Sequence, residues 1–106
     1  MLHVQQVALD AIRELRPLAL RIAKHDRDLA HQIRRAASSM ALNIGEAAYS
    51  DPGTARARFH NAAGSANETR TALAVAAAWG CLEAEHSNAV DKHIDRVLGM
   101  LWKLTH

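Results

Sequence analysis

Cysteine occurs once in 106 residues, proline twice, glycine five times, and Phe, Tyr and Trp together four times. The lone Cys81 cannot form an internal disulfide, so nothing marks the chain for an oxidising compartment. So few aromatic and turn residues argue against a β-sandwich or barrel. No apolar run approaches the length of a membrane span. The N-terminus lacks the basic start and continuous apolar stretch of a signal peptide, so the expected location is the cytoplasm. Disorder is excluded as well, because 49% of residues are hydrophobic and only 23% charged.

Alanine is abundant, with 22 copies. That composition favours closely packed helices. At this length a single domain, residues 1–106, is expected. Four segments carry the 3.6-residue apolar period. The first spans about 2–24, with Val4, Ala8, Ala11, Leu15, Leu18 and Ile22 inward. Pro17 lies inside it and predicts a kink there. The second spans about 27–50 behind an Asp26 cap, with Leu29, Ile33, Ala36, Met40, Ile44 and Ala47 inward. The third spans about 54–79, with Phe59, Ala62, Ala66, Leu73, Ala76 and Ala77 inward. Gly80 is placed to end it in a left-handed cap. The fourth spans about 87–104, with Val90, Ile94, Val97, Leu101 and Leu104 inward. Short connections between such helices predict an all-α, antiparallel, up-down-up-down four-helix bundle.

A polar ladder accompanies the apolar stripes. Arg35, Ser39, Asn43 and Glu46 flank the stripe of the second helix; Arg58, Asn61, Ser65 and Glu68 do so on the third. A hairpin turning near Pro52 sets residue i opposite residue 104 − i. This pairs Glu46 with Arg58, Asn43 with Asn61, Ser39 with Ser65, and Arg35 with Glu68. One of the two bundle hands brings these flanks together; the other points them outward. The ladder reads first as a register lock and second as a site for a polar ligand.

The run Gln32-Ile33-Arg34-Arg35-Ala36-Ala37-Ser38-Ser39-Met40-Ala41-Leu42-Asn43-Ile44-Gly45-Glu46-Ala47 resembles the proteins encoded in bacterial 23S rRNA intervening sequences, the S23 family. So does Ala62-Ala63-Gly64-Ser65-Ala66-Asn67-Glu68-Thr69. Gln32, Arg34, Arg35, Ala36, Ser39, Asn43, Ile44 and Glu46 fit that family's pattern, as do Gly64, Ser65 and Glu68. Relatives include accessory variability determinants of diversity-generating retroelements. The glycine is displaced: Gly45 precedes Glu46 and Ala47 follows it. The resemblance implies a bacterial, non-enzymatic homopentamer with a nucleic-acid-binding role.

The net charge is a modest +2, and ten of the thirteen cations are Arg. The basic excess sits in residues 1–24 and 51–80, while 81–106 is net acidic. Arg13, Arg16, Arg21, Arg27, Arg34 and Arg56 fall away from the apolar stripes. They are the candidates for binding RNA or other nucleic acid through phosphates. Leu2, Leu9 and Leu20 lie roughly opposite the core stripe of the first helix, and Trp102 lies off that of the fourth. These four are the candidates for an oligomer interface. The alternative function is that of an adaptor holding a protein partner such as a reverse transcriptase. No aromatic stacking platform or RNA-binding signature is present. No cofactor is expected. A bundle di-metal site needs paired Glu-x-x-His motifs facing inward; Glu83-x-x-His86 and Asp28-x-x-His31 match it poorly. No nucleophile elbow or phosphate-cradling glycine loop occurs.

Overall fold

The computed structural model describes residues 1–106, and its helices are α1 His3–Ala23, α2 Arg27–Ala47, α3 Pro52–Ala78 and α4 Asn88–Thr105. Each packs against its two neighbours in the order α1–α2–α3–α4, and α4 closes back onto α1. The result is an up-down-up-down four-helix bundle measuring 42 × 22 × 20 Å. At 1.5 Å per residue the 27-residue α3 alone spans ~40 Å, the full length of the molecule.

Local chemistry sets the boundaries. The Asp26 carboxylate accepts from the Leu29 backbone N–H at 3.0 Å and starts α2. Asp51 starts α3 in the same way, accepting from the Thr54 N–H at 3.0 Å and the Thr54 hydroxyl at 2.8 Å. These bonds, the backbone one foremost, hold its carboxyl below the usual carboxylate range. Pro52 occupies the first turn of α3, where its missing donor is harmless. Gly80, at φ +80, ends α3. Around it the Cys81 N–H donates to Ala76 O at 2.9 Å and the Gly80 N–H to Ala77 O at 3.0 Å, the paired bonds of a Schellman cap. Helix α1 continues through Pro17.

Three boundaries differ from the periodicity. Helix α2 stops at Ala47, and residues 48–50 form the turn that the Asp51 cap requires. Helix α3 begins at Pro52 instead of Thr54. A 3₁₀ turn, Ala84–Ser87, precedes α4. Glu83 and His86 build it by capping each other: the Glu83 side chain accepts from the His86 backbone, and His86 Nδ1 accepts from the Glu83 N–H at 3.1 Å.

The core runs the length of the axis through Ile22, Ile33, Met40, Ile44, Leu73, Ile94 and Leu101, all fully buried. Each such side chain contributes roughly 1.5–3 kcal/mol by leaving water. Small residues do the rest. Ala36, Ala62 and Ala66 are buried where α2 and α3 form the most extensive seam. Two stripe positions need correction. Leu104 is 49% exposed, and Thr105, four residues after Leu101, takes the buried place. Its hydroxyl is satisfied by donating to Leu101 O at 2.8 Å. On α3, Thr69 is buried and likewise donates to Ser65 O at 2.9 Å, while Ala77 is half-buried.

Candidate nucleic-acid interface

Helices α1 and α2 leave a groove of about 660 Å³ along their outer face. It lies on the half of the bundle that ends at the α1–α2 turn. Arg13 and Arg16 line it from α1, and Arg27, His31 and Arg34 from α2. All five side chains belong to exposed residues. The antiparallel hairpin produces this convergence, because it sets Arg16 opposite Arg34 and Ala23 opposite Arg27. Alanines permit the approach: Ala19, Ala23, Ala30 and Ala37 line the cleft between the arginines.

The charge in the groove is largely uncompensated. Arg13 pairs with Asp10 at 2.8 Å within α1. Arg16, Arg27 and Arg34 take part in none of the ion pairs of the chain, which are Arg13–Asp10, Arg58–Glu46 and Arg70–Asp95. Of the acids close in sequence, Asp26 caps α2, and Glu14 and Asp28 are exposed and make no ion pair.

Four of the six cationic candidates thus share one site; Arg21 and Arg56 do not. Arg21 points to the 3₁₀ turn, with Nη1 3.0 Å from His86 Nδ1 and 3.2 Å from Nε2. Arg56 sits in the first turns of α3, at the opposite end of the bundle. His31 also lines the groove; it is not among the cationic candidates, which are all arginines.

The interface candidates also separate. Leu20 is 60% exposed and lies among the arginines of the groove. Leu2 and the half-buried Leu9 lie toward the other end of α1. There the same α1–α2 face becomes apolar, with Leu42 exposed on α2 and Tyr49 exposed in the turn that follows it. Trp102, 61% exposed, stacks on His106 with ring centroids 3.4 Å apart. His106 in turn meets His60 of α3 edge-on at 6.2 Å, so Trp102 belongs to the α3–α4 side. This aromatic pair was not expected from the sequence, because His106 lies beyond the periodic stripe, at the C-cap of α4.

The polar ladder forms in part. Ser39 and Ser65 share a hydrogen bond at 2.8 Å, and Arg58 Nη1 meets Glu46 Oε2 at 3.2 Å. The two other pairs do not form. Asn43 turns back along α2 and donates to Ser39 O at 2.9 Å and to Ser39 Oγ at 3.1 Å, leaving Asn61 exposed. Arg35 and Glu68 are exposed and make no ion pair. Two long surface side chains gain too little from one fixed geometry to hold it. Gln32 is exposed beside them. Ser39, Asn43 and Ser65, with the Glu46–Arg58 pair, are internally satisfied and close the α2–α3 seam, which leaves that part of the ladder little capacity for a ligand.

Other reactive side chains are dispersed. Cys81 is buried behind Gly80, and no three His, Cys, Asp or Glu side chains gather where they could hold a metal ion. No helix is long and apolar enough to cross a membrane.

No curated protein matches the chain in sequence. Among solved structures it is similar to a protein of unknown function from the S23 ribosomal protein family of Bacteroides thetaiotaomicron VPI-5482. The two superpose with a TM-score of 0.82 over 96% of this chain and 97% of that one, at 19% identity. At that identity the likeness speaks for the fold alone. The sequence itself carries the assignment: a family model matches residues 1–103, and the chain belongs to the 23S rRNA-intervening sequence protein family.

Proposed function

We propose that the protein is a non-enzymatic, self-associating bundle of the bacterial cytoplasm that binds RNA through the arginine groove between α1 and α2. The observation that carries this reading is the meeting of Arg13, Arg16, Arg27 and Arg34 in one groove, with Asp10 the single acid paired there. Guanidinium groups suit phosphate because their donors form a fixed, planar fork. Contacts of this kind position a backbone without reading its sequence.

Self-association supports the reading by repetition. Leu2, Leu42, Tyr49 and Trp102 leave apolar surface in water, which a second copy can cover. The resemblance to the intervening-sequence family favours a pentamer. Copies of the groove around a ring would engage one RNA at several points and raise avidity.

Electrophoretic retention of RNA at low salt tests the binding. The expected result is retention that fades steeply as salt rises. No retention at low salt overturns the reading. Light scattering tests the assembly, and a single 11.6 kDa particle at every concentration would overturn that part. The same exposed apolar half of the α1–α2 face favours the second reading, an adaptor for a protein partner. A partner that stays bound after nuclease digestion would support the adaptor.

A further inference from the structure

The walls and the floor of the α1–α2 groove differ in chemistry. The walls end in guanidinium groups, and the floor is alkyl. Alanines line it, and Leu20, 60% exposed, adds an apolar side chain to the α1 wall beside Arg13 and Arg16. Phosphates need only the walls. A purely electrostatic site gains nothing from an exposed leucine among its arginines, which a polar residue would replace at no cost to charge. The floor therefore calls for a flat apolar group that is covalently tied to anions. An unpaired nucleotide has that combination.

We infer that the groove binds single-stranded RNA, with one unstacked base lying on the alanine floor against Leu20 and the flanking phosphates held by Arg16, Arg27 and Arg34. The inference rests on the nucleic-acid reading above and narrows it to one class of RNA. A duplex does not fit the site. Its bases are stacked inside, and its phosphates would span the arginine walls without touching Leu20. The groove volume of about 660 Å³ is that of a small-ligand site, the scale of a nucleotide. A splayed base also suits the walls, because guanidinium planes stack on base faces. The alanine floor offers no hydrogen-bonding side chain, and apart from the arginines only His31 and Ser38 in the lining can form hydrogen bonds, so the base is accepted more for its shape than for its edge. Binding is tolerant of sequence and selective for unpaired strands.

Fluorescence anisotropy on the full chain tests this with a short unstructured RNA and the same strand annealed to its complement. The single strand should bind roughly tenfold more tightly, the lower part of the range for stacking one base. Leu20→Ser should remove most of that advantage and leave duplex binding unchanged. Leu20→Tyr, which offers a broader face, should retain it. Arg34→Ala should weaken both forms. Circular dichroism and light scattering on each variant confirm that fold and assembly are intact. Equal affinity for the two forms overturns the single-strand inference and leaves the nucleic-acid reading standing. So does a Leu20→Ser variant with unchanged RNA binding and a lower assembled mass, which would make Leu20 an interface residue. If neither RNA form binds, both readings fall.

Discussion

The hydroxyls of Ser39 on α2 and Ser65 on α3 lie 2.8 Å apart across the most extensive seam of the bundle. Asn43 donates to Ser39 Oγ, which leaves the Ser39 proton free for Ser65. Ser65 also accepts, through its backbone carbonyl, from the buried Thr69 hydroxyl. The seam is thus joined by a short chain of bonds in which each member satisfies the next. Removing one hydroxyl strands its partner. Ser39→Ala and Ser65→Ala should each cost about 1 kcal/mol. The double variant should cost less than the sum by about 0.5–1 kcal/mol, since it removes donor and acceptor together. Urea denaturation of the four proteins measures this. Strict additivity would show that the bond contributes nothing.

Gly64 in α3 and Gly99 in α4 are exposed helical glycines, and a Cβ at either would meet nothing within 4 Å. In the isolated bundle, alanine at either site should stabilise by about 0.5–1 kcal/mol through the smaller entropy of the unfolded chain. That corresponds to a melting temperature higher by roughly 4 °C. Gly45 is different, because its Cβ would come within 3.1 Å of Gln5 Nε2. The amide end can swing aside, so Gly45→Ala should stabilise by less. Thermal melts rank the three. A Gly64→Ala variant that melts lower and associates less would locate a neighbouring copy on that face.

Asp51 gives the α3 boundary a pH dependence. Its bonds to the Thr54 N–H and hydroxyl favour the carboxylate, so its folded pKa lies below its unfolded one. The stabilisation is complete above the unfolded value and is lost as pH falls through the folded value. Asp51→Ala should therefore be less stable than the native protein at neutral pH. The difference should shrink as the solution is acidified below the usual carboxylate range. Chemical denaturation at a series of pH values checks the trend, and a gap that widens on acidification would overturn it.

Periodicity was enough to read the four helices, because each buries one stripe and the caps Asp26 and Gly80 are chemically specific; the Asp51 cap was missed, and with it the first two residues of α3. The Ser39–Ser65 and Glu46–Arg58 pairings were legible for a related reason: a short hairpin fixes the register of its arms. The pairing of Arg35 with Glu68 failed although the register is right, since exposed charges are not held by register alone. The groove was not legible. A list of outward arginines does not say which of them meet. That depends on the hand of the bundle, which decides whether α1 turns its Arg13–Arg16–Leu20 flank toward α2 or away. With that hand set by packing of the whole core, Arg16 meets Arg34, and Arg21 is carried off to His86.

That geometry makes the salt dependence of binding a test of position as well as charge. Arg16, Arg27 and Arg34 line the groove without ion pairs, so they can meet phosphates at no cost to an internal bond. Arg13 shares its charge with Asp10 and should add less. Three phosphate contacts on a single strand imply a slope of about −2 in log K against log salt, or a loss of roughly 20-fold between 50 and 200 mM. Arg34→Ala should flatten the slope by about 0.7. Arg21→Ala and Arg56→Ala remove the same charge outside the groove, and each should leave the slope unchanged. Anisotropy titrations across salt concentrations distinguish these outcomes. If all three variants flatten the slope alike, RNA senses only the net charge of the bundle, and the groove has no special part in holding it.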